Sequence, residues 1–278
     1  MTEHELKVFA ARIRLATAQC VASRGFGHLG GALSAADLLA VLYGDIMRVD
    51  PKDPSWEGRD LFVCSKGHAG PAVYATLALK GYFPTDVLKT LNQPGTILPS
   101  HCDRNKTPGI DMTTGSLGQG ISIAVGMALG VKGTGRNVYC LVGDGECDEG
   151  QVWEAVMFAA HHKLDNFYLF VDWNKKQLDG FTKDILDLGN VKDKLASFGF
   201  DAASVNGGDV KAIKRAIKRA AAVPDKPHGI VLDTVKGAGV PEIEQAASNH
   251  HVALTPEMSE RMLAHLTGEL EKLEEEGK

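Results

Sequence analysis

The stretch Asn137-Val138-Tyr139-Cys140-Leu141-Val142-Gly143-Asp144-Gly145-Glu146 passes directly from an apolar, β-branched run into a turn of glycine and carboxylates. Such a run, closed by glycine, reads as a buried strand that ends in a loop. The pattern recurs in Asn166 to Asn174 (NFYLFVDWN), in Leu61 to His68 (LFVCSKGH) and in Gly229 to Gly237 (GIVLDTVKG). Helical stretches at 120–129, 153–161 and 210–222 lie among these runs. Strand and helix therefore alternate, which predicts an α/β fold: a doubly wound, mostly parallel sheet with helices on both faces. Ligands of such sheets sit at the carboxyl ends of the strands, where SKGH, GDGE and DWN all fall.

Asp144 and Asn174 end neighbouring predicted strands and carry oxygens suited to a hard divalent cation. Magnesium on a diphosphate takes an octahedral shell of carboxylate, carbonyl, phosphate and water oxygens. Gly145 lets the backbone come close enough to donate N–H groups to a phosphate. An ordinary strand-to-helix turn also favours Asp and Gly, so the tetrapeptide alone leaves both readings open.

Working outward, Leu6, Phe9, Ala10, Ile13, Ala16, Thr17 and Cys20 recur at helical spacing, and that helix ends before the glycines of RGFGHLGG. The basic run KAIKRAIKRA sets Ile213, Ala216, Ile217 and Ala220 on one face, with its cations in solvent. The acidic end, ELEKLEEEGK, reads as a surface helix or a frayed tail.

The chain has 278 residues, 44% of them hydrophobic, enough for one large domain spanning 1–278 with a helical extension from about 255. There is no internal repeat and no flexible linker. A net charge of -5 gives no reason to expect nucleic acid or an anionic membrane as partner. The five cysteines show neither a C-x-x-C nor paired spacing, so they read as reduced thiols. No apolar run spans a bilayer, and no leader is seen, which points to a soluble cytoplasmic protein.

With 28 residues between Gly145 and Asn174, the segment resembles the GDG-to-Asn signature of thiamine-diphosphate enzymes. Three further segments are similar to transketolase motifs in order: FGHLGGALSAADLLAVLY, DLFVCSKGHAGPAVYATLALKGYF and TTGSLGQGISIAVGMALG. The fourth, VDWNKKQLDG, contains Asn174 itself. From about Gly25 to His251 the chain resembles the amino-terminal, diphosphate-binding part of a transketolase.

That resemblance implies magnesium held by Asp144, the Asn174 side chain and the Lys176 carbonyl. Gly143 and Gly145 would meet the diphosphate of thiamine diphosphate. Leu117 and Leu178 would line the thiazolium slot, although core packing explains leucines as readily. The Gly115 carbonyl would accept from the aminopyrimidine. Glu149 would stand where the two halves of the cofactor site meet, unless it is only a solvated carboxylate in a first helical turn.

His28, His68 and His101 match the cluster that faces the sugar, with His68 also touching cofactor, and the pair His250 and His251 overlaps a late histidine of the same kind. Of that pair we assign His250. Imidazoles suit the place because they exchange protons near neutral pH. His161 and His162 have no such counterpart.

Two departures border the sugar channel. Leu29 stands where the first motif often has proline, and His101 is followed by Cys102 and Asp103 rather than proline. A complete transketolase is more than twice as long. Its second domain supplies the glutamate and the aromatic residue that act on the aminopyrimidine, and none of that domain's motifs is found here. The resemblance therefore implies a separately encoded carboxy-terminal subunit, two copies of each chain, and ketol transfer between sugar phosphates. Other thiamine enzymes, such as a 1-deoxyxylulose-5-phosphate synthase or a 2-oxo acid dehydrogenase, and a silent cofactor-binding module are the competing readings.

Overall fold

The structure is a computed structural model that describes residues 1–277. Its regular elements run α1 (Glu3–Ala22), β1 (Phe26–Gly27), α2 (Gly30–Leu33), α3 (Ala36–Val41), β2 (Leu61–Cys64), α4 (Gly70–Lys80), α5 (Gln119–Gly130) and β3 (Val138–Gly143). There follow α6 (Gly150–His161), β4 (Phe167–Trp173), α7 (Thr182–Ile185), α8 (Val191–Ser197), β5 (Asp201–Asn206) and α9 (Val210–Ala220). The chain closes with β6 (His228–Asp233), α10 (Pro241–Glu244), β7 (Val252–Ala253) and α11 (Pro256–Glu276).

Five strands form one parallel sheet in the order β2-β3-β4-β6-β5. Alternation along each strand divides the core between its faces. Val138, Cys140 and Val142 of β3 meet α5, α6 and α8, whereas Tyr139 and Leu141 meet the layer of α1, α3, α4, α9 and α11. Register aligns Gly143 with Asp172 and Trp173 with Asp233, so the carboxyl ends of β3, β4 and β6 lie side by side.

Helix α1 buries the positions that its spacing predicts, and Thr2 and Glu5 close its start as a capping box. In α9 the buried residues are Val210, Ile213, Ala216, Ile217 and Ala220, with Asp209 capping the first turn. Strand β5 has no counterpart in the sequence reading. It is an edge strand of small and polar residues, DAASVN, half exposed along its length, so it lacks an apolar run. The carboxy-terminal segment is one long helix, anchored to the core by Met262 and Leu266 and to α1 by an Arg12–Glu274 ion pair at 2.6 Å.

A two-residue antiparallel ribbon, β1 with β7, pairs Phe26 with Ala253 and Gly27 with Val252. Next to it, the Gly30 N–H donates to the Asn249 carbonyl at 3.1 Å, and the Gly30 carbonyl accepts from the Gly237 N–H at 3.0 Å. A Cβ at Gly30 would lie 2.2 Å from that Asn249 oxygen, which is why no side chain fits there. The Asn249 amide donates to the carbonyls of Lys236 and Ile243. These contacts fix His28 and His250 beside the strand ends. Among the described residues no helix is long and apolar enough to cross a membrane.

Candidate functional site

The strand ends, the ribbon and the 99–118 connection enclose one cavity of about 210 Å³. It is lined by His28, His68, His101, Gly115, Leu117, Gly143, Asp144, Gly145, Asn174, Lys176, Leu178 and His250, all singled out from the sequence. Closed small-molecule sites measure roughly 300–1,000 Å³, so this is part of a site, open where Leu178 stands 61% exposed at its rim.

Asp144 and Asn174 are both buried, and their backbones are neighbours across β3 and β4. Burial, then the nearby Asp172 charge, raises the Asp144 carboxyl to about 7, against the lowering effect of N–H groups from Gly145 and Lys175. Lys175 has a left-handed backbone, φ 69°, between the Asn174 side chain and the Lys176 carbonyl. On either side of it, Asn174 and Lys176 line the same cavity as Asp144, and the Lys175 N–H donates to the Asp144 carboxylate. A Cβ at Gly145 would lie 2.8 Å from the Gln177 side chain, so only glycine leaves the backbone approachable there.

The donor set is one carboxylate, one amide oxygen and one main-chain carbonyl. No cluster of three or more His, Cys, Asp or Glu able to hold a metal occurs among the described residues. Such a set suits magnesium that keeps phosphate oxygens and waters in its shell, and it does not suit a cation caged by protein alone. The residues therefore fit magnesium diphosphate.

Beneath these oxygens lies a buried ion pair that sequence reasoning missed. Lys66 and Asp172, each 1% exposed in its side chain, face each other. Asp172 also accepts from Ser34 Oγ at 2.7 Å, from Thr234 Oγ1, and from Asn174 Nδ2 at 3.1 Å. Burial alone would raise its carboxyl, but Lys66 and the hydroxyl donors outweigh that and hold it below the usual range. Glu146, the last residue of the GDGE turn, has a part that its motif does not signal. It is buried and accepts from the Gly118 and Gly143 N–H groups at 3.0 and 3.1 Å, bracing the two glycine turns.

Lys236 was missed as well. Its Nζ donates to the carbonyls of Lys176 and Gln177 at 3.0 and 3.2 Å and lies 3.1 Å from His250 Nδ1. Burial, with Lys66 as a second cause, lowers its ammonium to about 8. The signal for both lysines and Asp172 was visible: a charge placed directly at the end of an apolar strand run.

His28 is the centre of the imidazole group. Its ring lies 5.7 Å from His68, 5.2 Å from His101, 5.3 Å from His250 and 4.9 Å from His251. Burial, then neighbouring imidazoles and Lys236, lowers His28 to about 4, and burial with Lys236 lowers His250 to about 3. His68 and His101 shift the same way, chiefly through burial. At neutral pH these rings are uncharged, so each offers one donor and one acceptor to a hydroxylated ligand.

Four positions fall outside the cavity lining. Glu149 is exposed at the start of α6, outside the cavity lining. His251 is not part of the cavity lining, although its ring packs against His28 at 4.9 Å as well as against Phe26 at 5.7 Å. His161 and His162 end α6, with His162 against Phe158 at 4.2 Å.

Residues 6–268 match the family described as transketolase, thiamine diphosphate binding domain. The chain is 49% identical over 259 residues to the 6-deoxy-6-sulfo-D-fructose transketolase subunit SqwG of Clostridium sp. (strain MSTE9), covering 92% of this chain and 94% of that protein. It is 40% identical over 252 residues to one of the subunits of the apulose-4-phosphate transketolase of Phocaeicola vulgatus, covering 90% and 89%. The solved transketolase of Campylobacter jejuni superposes with a TM-score of 0.87 at 31% identity, over 100% of this chain and 48% of that one. The chain thus spans nearly all of the two subunits and about half of the solved structure.

Proposed function

This chain belongs to the transketolase family, in its thiamine-diphosphate-binding part, and we propose that it is the amino-terminal subunit of a two-chain transketolase that moves a two-carbon ketol unit from a ketose to an aldose. The observation that carries the proposal is the open cavity in which Asp144, Asn174 and the Lys176 carbonyl meet four uncharged histidines.

Asp144, Asn174 and Lys176 hold magnesium, and Gly143 and Gly145 admit the diphosphate. Leu117 and Leu178 bound the thiazolium, and the Gly115 carbonyl orients the aminopyrimidine. When bound, thiamine diphosphate supplies the carbanion chemistry of ketol transfer. His28, His68, His101 and His250 bind sugar hydroxyls and exchange their protons, with His68 and His250 close enough to contact the cofactor too. Their neutral state lets one ring accept a proton while its neighbour donates.

His28→Ala is expected to slow ketol transfer roughly 100-fold or more, in the range of a lost acid–base group. Cofactor affinity, read by calorimetry, stays within about threefold of the parent if the ring meets only sugar. Lost cofactor binding would instead make His28 a cofactor residue.

The other half of the site comes from a carboxy-terminal transketolase subunit, two copies of each chain forming a heterotetramer. The match to subunits of similar length supports this, as does an exposed apolar surface: Met157 and Phe158 on α6, and Phe181, Ile185 and Leu186 beyond the cavity rim. We assign Glu149, exposed at the start of α6, to that contact. Residues 1–278 act as one cofactor domain, and five buried free thiols suit the cytoplasm.

The names of the similar subunits suggest donors or acceptors with a terminal anion, sulfonate or phosphate. Xylulose 5-phosphate and 6-deoxy-6-sulfo-D-fructose are therefore the two donors to compare, with ribose 5-phosphate as acceptor and thiamine diphosphate and magnesium present. Transfer is expected only after coexpression with a carboxy-terminal subunit. Full-rate transfer by this chain alone would overturn the two-chain reading, and the faster donor identifies the sugar class.

A further inference from the structure

Asp172 is buried, yet it collects donors from three distant parts of the chain, Ser34, Lys66 and Thr234, and from its near neighbour Asn174. The amide of Asn174 has two ends of nearly equal shape, and only its oxygen can face a cation. The Asn174 Nδ2 donates to Asp172 Oδ2 at 3.1 Å, while its Oδ1 accepts from the Lys176 N–H at 3.2 Å. Both Asp172 oxygens already accept, Oδ2 from Ser34 and Lys66 and Oδ1 from Thr234, so Asp172 meets Asn174 as an acceptor and excludes the flipped amide, in which Oδ1 would face a carboxylate oxygen.

We infer that Asp172, held in place by Lys66, Ser34 and Thr234, is a positioning residue: by accepting from Asn174 Nδ2 it locks Asn174 with its oxygen toward the magnesium site. The inference rests on the proposed magnesium site at Asp144, Asn174 and Lys176. Groups that orient a metal ligand without touching the metal typically contribute 10–100-fold in metal affinity.

Lys66 serves a second purpose here. It lets a full negative charge stand beside Asn174 and offsets part of that charge as seen from Asp144.

The test uses this chain assembled with its carboxy-terminal partner and titrates magnesium at saturating thiamine diphosphate, by calorimetry and by activity. Asp172→Asn presents Asn174 with a group that can itself flip, and it leaves Lys66 unpaired. Its magnesium dissociation constant is expected to rise 10–100-fold, with kcat at saturating magnesium within about threefold of the parent.

The double variant Lys66→Met with Asp172→Leu keeps the assembly measurable if the single one unfolds, because an apolar pair often replaces a buried ion pair without loss of stability. It removes one charge of each sign, so a 10–100-fold rise there reports orientation and not net charge. Thr234→Val removes another donor to Asp172 and leaves Asn174 held. Its magnesium affinity stays within about threefold of the parent even if its stability falls. Parental magnesium affinity in the double variant, or an equal loss in Thr234→Val, overturns the inference. A parent that binds no magnesium with thiamine diphosphate sinks the functional reading itself.

Discussion

Asp144→Asn is expected to weaken binding of magnesium with thiamine diphosphate roughly 100-fold, about 2.7 kcal/mol, within the ~2–5 kcal/mol that removing one partner of a buried charge pair costs. Asp144 is the one carboxylate among the three proposed protein oxygens, so its loss removes the only full charge that the protein contributes to that shell. The chain should stay folded, because Asn retains the shape and one acceptor for the N–H groups of Gly145 and Lys175. Calorimetry on the parent and variant complexes measures the difference directly.

The same residue fixes a pH dependence. Its carboxyl stands near 7 in the metal-free fold against 3.8 as the reference value. Between those values the folded chain holds a proton that the unfolded chain has released. Its contribution to stability is therefore present below 3.8 and is lost as pH rises through 7. Magnesium needs the ionised form and must expel that proton, so affinity climbs about tenfold per pH unit below 7 and levels off above it. Parent affinity should rise from pH 6 to 8, while Asp144→Asn stays flat. A flat parent profile over that window removes Asp144 from the metal shell.

Lys66→Met should be the most destabilising single change among the site residues, at about 3–5 kcal/mol, because it leaves Asp172 buried without its counter-charge. Urea unfolding reads the loss as a lower midpoint at unchanged slope. The sign with pH runs opposite to that of Asp144. The parent's Asp172 is held below its ordinary value, so its stabilising effect exists above about pH 3.8 and is lost as pH falls through the folded value. Without Lys66 the carboxyl rises, and the variant's deficit shrinks on acidification from pH 8 to 5. A loss under about 1 kcal/mol at pH 8 would mean that Asp172 is compensated in another way.

The parallel sheet was legible because four of its five strands are apolar runs closed by polar loops. The fifth, Asp201 to Asn206, escaped notice because an edge strand half in solvent needs no such run. The cavity lining was readable in the same way, since motif residues cluster at strand ends. What stayed hidden was the support beneath it. Lys66, Asp172 and Lys236 sit inside the strand-and-loop segments themselves, but their burial, and the pairing of Lys66 with Asp172, depend on register between strands far apart in sequence. A charge in a strand-end loop is ordinarily solvated, and only the packed sheet puts these beyond the reach of water. His250 and His251 show the same limit: they are adjacent in sequence and both pack on His28, but only His250 lines the cavity.

The two-residue ribbon also sets when the site can come into being. Phe26 must wait for Ala253, and Gly30 for Asn249, so the histidine cluster is closed by the last strand to be synthesised. At roughly 5–20 residues per second, His28 spends on the order of ten to forty-five seconds on the ribosome before His250 exists. Only late in that interval, after β6 has been made, are all five strands of the sheet available, and His28 still has no neighbours from the late part of the ribbon. A truncation that spares every motif up to Lys236 would leave that nascent state as its final one.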